Sequence, residues 1–322
     1  MRPRSTLAPA LAFLLVACAA PTRGEAAPLG EPYALVLGTA QDGGLPQIGC
    51  PDPCCAAARS DPARRRLVAS LLLVDPRSGT RFLFDASPDL CEQVELARGQ
   101  PGNRALPGAR PPLFDGIFLT HAHMGHYAGL LQLGREAYGA GGLVLHASAR
   151  MGEFLRSNAP WSALFDSGGA RLETLEVKRP VSLGAGLSVT PIAVPHRQEF
   201  SDTLAFRIDG PQRSLLYAPD TDGWERWSPS IEELLAGVDL ALLDGTFFDD
   251  GEVPGRDLAT IPHPFVRASL ERFSALPQSE RAKIRFVHLN HTNPACDPDS
   301  AASTRIRAAG LAVAREGEIL VL

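Results

Sequence analysis

Beyond residue 30 the 322-residue chain has no apolar run approaching the roughly 18 residues that a membrane-spanning helix requires, so its body is not an integral helical membrane protein. It also lacks a basic stripe with interleaved aromatics. With 31 Lys+Arg against 36 Asp+Glu and a net charge of -5, a nucleic-acid duplex is a poor partner and a small molecule the expected substrate. No repeat or linker divides residues 32–322, which read as one domain whose oligomeric state the sequence leaves open. Cysteine and histidine are scarce, at six and eight residues, but both are clustered.

The chain opens with Arg2 and Arg4, the short apolar run Leu7 to Ala17, and then Cys18. A basic flank before so short a run is a secretion signal rather than a span. Leu15-Val16-Ala17-Cys18 resembles the lipobox of bacterial lipoproteins. Residues 1–18 are therefore expected to be a signal ending on a lipid-modified cysteine and 19–31 a tether. The protein is expected in the periplasm or on the cell surface, held to the membrane through Cys18. A plain signal cut near Ala20 or Ala27, with Cys18 discarded, is the alternative.

Apolar runs bounded by turn residues predict strands at Tyr33 to Leu37, Leu67 to Val74 and Arg81 to Asp85, an antiparallel opening. Ser87 and Pro88 predict a helix start, and Gly99 to Pro112 a loop. A strand at Gly116 to Leu119 precedes a helix over Tyr127 to Tyr138. Further strands are expected at Leu143 to Leu145, Leu172 to Val177, Leu187 to Ile192, Thr203 to Ile208, Ser214 to Tyr217, Leu240 to Leu243 and Ile284 to Leu289. Helices are expected around Met151 and Ile231, at Pro264 to Phe273 and at Ser300 to Ala309, and a terminal strand pair closes the chain. Short strands with helices between them imply an α/β fold of two mixed sheets face to face, helices covering the outside.

Three of the eight histidines fall in Thr120-His121-Ala122-His123-Met124-Gly125-His126, directly after an apolar strand. Clustered imidazoles at a strand's carboxyl end read as a metal site, because neutral imidazole suits a borderline-soft ion such as zinc. A second cluster is Cys50-Pro51-Asp52-Pro53-Cys54-Cys55. A bridge between adjacent cysteines is unattractive, and a shared metal is the better reading. Cys91 and Cys296 are left over, and an oxidising compartment would permit them to pair.

The histidine run, then Pro195-His196-Arg197, Ala218-Pro219-Asp220 and a strand ending in His288, resembles the metal-ligand series of the metallo-β-lactamase superfamily. That resemblance implies a four-layered αβ/βα sandwich. It implies His121, His123 and His196 on a first zinc, Asp220 bridging, and His126 with His288 on a second. The family usually carries an aspartate where this chain has Gly125, so the second site lacks a ligand; single-metal occupancy, or replacement by Asp222 or His263, stays open. Leu37 to Gln47, Asp244 to Asp250 and His288 to Pro294 resemble the B proteins of pyrroloquinoline quinone synthesis, although those lack the two leading histidines. The cysteines with His288-x-x-His291 resemble the phosphodiesterases of phosphonate breakdown, which implies a structural zinc on Cys50, Cys54, Cys55 and His291.

The chemistry implied is hydrolysis of a phosphodiester, ester or lactam by a metal-activated water held near Asp220, with His263 as acid for the leaving group. Two other readings stand beside it: an oxygenase using iron in the same pocket, and a lipoprotein that binds a metal or cofactor without turnover. Asp42, Asp222, Asp244 and Asp249 read as turn or supporting residues, and Asn290 and Asn293 as fixing the turn around the last ligand. His146 has no assigned role, and Trp224 and Trp227 either line a pocket or pack.

Overall fold

The computed structural model describes residues 30–98, 100, 113–139, 141–252 and 262–322. The expected signal, most of the tether and nearly all of the loop from Gly99 to Pro112 lie outside them. Fourteen strands are described: β1 (Tyr33–Gly38), β2 (Ser70–Asp75), β3 (Thr80–Phe84), β4 (Gly116–Phe118), β5 (Leu143–Ala147), β6 (Ala170–Thr174), β7 (Val181–Gly184), β8 (Leu187–Ala193), β9 (Leu204–Asp209), β10 (Ser214–Ala218), β11 (Leu240–Asp244), β12 (Ile284–Val287), β13 (Ala312–Val313) and β14 (Ile319–Val321). The α-helices are α1 (Pro53–Ser60), α2 (Leu90–Arg98), α3 (Met124–Tyr127), α4 (Ala149–Ser157), α5 (Ser162–Asp166), α6 (Ile231–Ala236), α7 (Val266–Phe273), α8 (Gln278–Arg281) and α9 (Ala301–Ala308).

The strands form two mixed seven-stranded sheets, ordered β14-β1-β2-β3-β4-β5-β6 and β13-β12-β11-β10-β9-β8-β7. Pairing is antiparallel at the start of each set and parallel along β3 to β6 and β10 to β13. Alternation along the strands explains the layering. In β1, Ala34 and Val36 enter the core between the sheets while Leu35 and Leu37 join the core beneath the outer helices. In β10, Leu215 and Tyr217 face inward and Leu216 and Ala218 face the helices of the second sheet. Strands covered on both faces must be apolar at nearly every position, which is why they read as continuous hydrophobic runs. Phe84 of the first sheet meets Phe206 and Tyr217 of the second edge-on, with ring centroids 5.5 and 6.1 Å apart. This is the four-layered sandwich expected from the sequence.

Several expectations are corrected. The helix over Tyr127 to Tyr138 is one α-turn, α3, followed by a 3-10 segment at Ala128–Leu133. Gly129 lies so close to the Ser87 carbonyl that a β-carbon there would overlap it, and its N–H bonds Ala86 O, so backbone packing replaces regular helix. The last two strands do not pair with each other: β13 joins β12 and β14 joins β1, one in each sheet. Residues 54 and 55 sit in helix α1, an element not assigned from the sequence. Ser87 does mark a helix start, accepting the Asp89 N–H and donating to Gln93.

Candidate metal centre

The histidines and aspartates converge from the ends of seven strands. Asp42 follows β1, Asp85 follows β3, His121 to His126 follow β4, His196 follows β8, Asp220 follows β10, Asp244 ends β11 and His288 follows β12. Ligand sites in open α/β sheets lie at the carboxyl ends of strands for the same reason: the loops there can each aim one side chain at a common point.

One half of the pocket gathers His121, His123, His196 and Asp220. His123 Nδ1 lies 2.8 Å from His121 Nε2 and 3.1 Å from His196 Nε2. Asp220 Oδ2 lies 3.2 Å from His121 Nε2 and 3.3 Å from His196 Nε2. Ring nitrogens packed this closely must share protons or a cation. The far nitrogens are held from behind: His121 Nδ1 is 3.0 Å from Thr120 Oγ1, and His196 Nδ1 is 3.2 Å from Asp222 Oδ1. His123 Nε2 is 3.4 Å from the Glu199 carboxylate. Such partners fix ring orientation and leave the facing nitrogen as a donor atom.

The other half gathers His126, His288, Asp220 and Asp42, in separations of 3.6 to 3.8 Å between His126 or His288 Nε2 and the nearest carboxylate oxygens. His126 donates through Nδ1 to Asp85 at 2.7 Å, and His288 Nδ1 is 2.9 Å from Thr246 Oγ1. His288 adopts φ 61°, the left-handed region that a non-glycine residue occupies at a cost, as functional positions often do. Asp42 Oδ1, His126 Nε2, Asp220 Oδ1 and His288 Nε2 are all buried without a hydrogen-bond partner. Buried polar atoms are rarely left so, and the three contributed by Asp42, His126 and His288, residues whose ligand atoms lie within 4.8 Å of one another, fit a cation.

Charge agrees with that fit. Burial and the neighbouring His126 hold His121 well below its ordinary pKa, and burial lowers His123 and His288. These rings are neutral and ready to donate lone pairs. Burial works against ionisation of Asp220, but His196 and His288 overcome it and hold the carboxyl well below its usual range. His126 is pulled the other way: against burial, Asp85 and Asp220 draw positive charge onto it. His263 lies 2.8 Å from Asp244 and 3.5 Å from Asp220 through Nδ1; although burial opposes charge, Asp244 lifts its pKa to about 9.

Cys50, Cys55 and His291 form a separate cluster, with Asp52 Oδ2 3.4 Å from Cys50 Sγ. Cys54 is not brought into it. His291 Nδ1 is buried without a hydrogen-bond partner, which suits a metal ligand. Cys91 is exposed, and both it and Cys296 are free thiols. His146 stacks on Phe118 at 4.3 Å, away from either cluster. Trp224 and Trp227 pack, donating to Ser269 and Thr221. Asn293 donates to the Gly245 carbonyl and caps the turn after His288, while Asp249 pairs with Arg267.

A profile of the beta-lactamase superfamily domain matches residues 80–288. The chain belongs to the metallo-β-lactamase superfamily. It is 32% identical over 315 residues to coenzyme PQQ synthesis protein B of Methylobacterium nodulans, covering 90% of this chain and 99% of that one. The crystal structure of Zn(2+)-bound PqqB from Methylobacterium extorquens superposes with a TM-score of 0.74 at 25% identity, over 90% of this chain and 100% of that one. A diphosphatase of the PhnP family shares the fold, with a TM-score of 0.63 at 22% identity, over 91% of this chain and 99% of the other.

Of the residues that sequence reasoning singled out, His121, His123, His126, His196, Asp220, His263 and His288 all meet in this superfamily pocket. Asp222 and His263, the two candidates for the gap at Gly125, are engaged elsewhere: Asp222 holds His196 and Arg226, and His263 holds Asp244. Asp85 went unread. Its signal was a carboxylate ending the apolar run Phe82-Leu83-Phe84, and it proves fully buried at φ 62°.

Proposed function

We propose that this chain is a zinc-dependent hydrolase of a small molecule, exported and anchored through Cys18. The observation behind it is the convergence of two sets of potential ligand atoms on Asp220, one of imidazole nitrogens packed 2.8 and 3.1 Å apart and one including His126 Nε2 and His288 Nε2, buried without hydrogen-bond partners. His121, His123, His196 and Asp220 would hold one ion, and His126, His288 and Asp220 a second. Cys50, Cys55 and His291 would hold a structural zinc, a reading supported by their clustering, and zinc is the ion bound in the PqqB crystal structure. Zinc, when bound, lowers the pKa of its water toward neutrality and polarises the group under attack.

The protein's own groups do the rest. Asp220, ionised and central, orients the attacking water. His263 presents Nδ1 to both Asp244 and Asp220, so its Nε2 points away from Asp220; as an imidazolium it can hand that proton to a leaving group. Burial of the pocket excludes competing water.

A second reading, oxidation with iron in the same ligands, draws support from the whole-length similarity to PQQ synthesis protein B. The deciding experiment is metal analysis of the purified mature protein, followed by assays on phosphodiesters, esters and lactams with and without dioxygen. Zinc with oxygen-independent turnover supports the hydrolase. Iron with oxygen consumption replaces it, and tight ligand binding without turnover would make the protein a binding lipoprotein.

A further inference from the structure

We propose that Asp42 supplies the carboxylate missing at Gly125, so that the second metal site is complete through an exchange between two loops. This rests on the metal-dependent reading above and deepens it. Asp42 Oδ1 lies 3.8 Å from His126 Nε2, and Asp42, His126 and His288 offer ligand atoms within 4.8 Å of one another. Two donors on one zinc at about 2.1 Å in a tetrahedron stand about 3.4 Å apart, so separations of 3.6 to 3.8 Å are too long for hydrogen bonds but suit a shared ion.

The exchange is visible in the space at Gly125. A β-carbon built there would overlap Asp42 Oδ1 and stand 2.9 Å from its Cα and 3.1 Å from its Cγ. The Asp42 carboxylate thus fills the volume that a side chain at 125 would take, and glycine is required there to admit it. The loop after β1 is fixed in that place by backbone bonds to the residue following His288: Gln41 N to Leu289 O at 2.9 Å and Leu289 N to Thr39 O at 2.8 Å. Asp42 is therefore registered against His288 by the same bridge that joins the two sheets here. Its side chain is about one third exposed while Oδ1 is buried, so removing it should not unfold the chain.

The test titrates chelated full-length mature protein with cobalt(II) and zinc, counting bound ions by elemental analysis. Thiolate-to-cobalt absorption identifies the ion at the cysteines, leaving d–d bands for the pocket. Wild type should take two pocket ions. Asp42→Asn and Asp42→Ala should keep the first and bind the second at least 10-fold more weakly. The double variant Asp42→Gly with Gly125→Asp should restore it. Unchanged binding of both ions in Asp42→Ala, a single pocket ion in wild type, or a double variant no better than Asp42→Ala would overturn the exchange while leaving the metal-dependent reading intact. Absence of any pocket ion in wild type would overturn both.

Discussion

The two sheets equip the pocket with the same device in different settings. In the first, buried Asp85 accepts from Thr120 N and Oγ1 and from His126 Nδ1, and Thr120 Oγ1 lies beside His121 Nδ1. In the second, buried Asp244 accepts from Thr246 N and Oγ1 and from His263 Nδ1, and Thr246 Oγ1 lies beside His288 Nδ1. Each sheet so backs two imidazoles with one carboxylate and one threonine. The difference is where the backed ring looks. His126 turns an unpartnered Nε2 toward Asp42 and Asp220, whereas His263 already meets Asp220 through the nitrogen it gives to Asp244. One carboxylate therefore orients a metal donor and the other a proton donor, and equal chemistry behind the ring yields unequal roles in front of it.

The largest loss is expected on removing Asp220, the group on which both halves depend. Asp220→Asn should lose metal from both sets of histidines, with affinity falling more than about 100-fold and turnover with it, because the loss of groups merely behind a ligand already costs 10- to 100-fold. Elemental analysis beside a turnover assay reads this directly; metal content equal to wild type would refute the bridging position. The paired variants Asp85→Asn and Asp244→Asn should separate the two settings. The first should weaken the second pocket ion about 10- to 100-fold. The second reaches a metal donor, His288, only through Thr246, so it should weaken that ion less than Asp85→Asn does but lower kcat by roughly 100-fold or more, as loss of a positioned acid does. Identical effects of the two variants on metal content would dissolve the distinction.

A smaller effect is expected where the halves are clasped from outside. The cysteine cluster ties the loop after β1 to His291, three residues beyond His288, and so fixes the register that places Asp42. Cys55→Ser should release one metal and lower Tm by several degrees, consistent with a loss of about 2 kcal/mol. Cys54→Ser, whose sulfur is outside the cluster, should do neither. Differential scanning calorimetry with parallel metal analysis separates the two outcomes.

What was legible in the chain follows the same division. His121, His123 and His126 are neighbours in sequence, and their spacing after an apolar run announced them; short apolar strands with helices between them announced the layers. Asp42 was visible only as a turn or supporting residue, because its meaning depends on the bridge from Ala40 to Leu289, two positions nearly 250 residues apart. The same limit explains the terminal strands: Ala312–Val313 and Ile319–Val321 look like a pair locally, and only the closure of each sheet sends them apart. Helix α1 was hidden by Pro53, which belongs at a helix's first turn but also reads as a breaker.

An effect absent at neutral pH comes from His146, alone among the eight histidines in lying outside both clusters. Burial, only partly offset by Glu173, lowers its pKa to about 4 from an ordinary 6.5, and its Nδ1 is buried without a partner. The folded state thus binds this proton more weakly than the unfolded chain. Its contribution to stability is fully present above pH 6.5, is lost as pH falls from there to about 4, and amounts to at most about 3 kcal/mol. His146→Leu keeps a side chain against Phe118 and removes the titration. Urea melts at pH 7 and pH 4.5, run on metal-loaded and chelated samples alike, should show a smaller acid loss for the variant in both. Acid losses equal to wild type would mean that His146 does not set the acid sensitivity, which then belongs to other groups, such as the carboxylates Asp75 and Asp220 whose pKa values lie below the usual range.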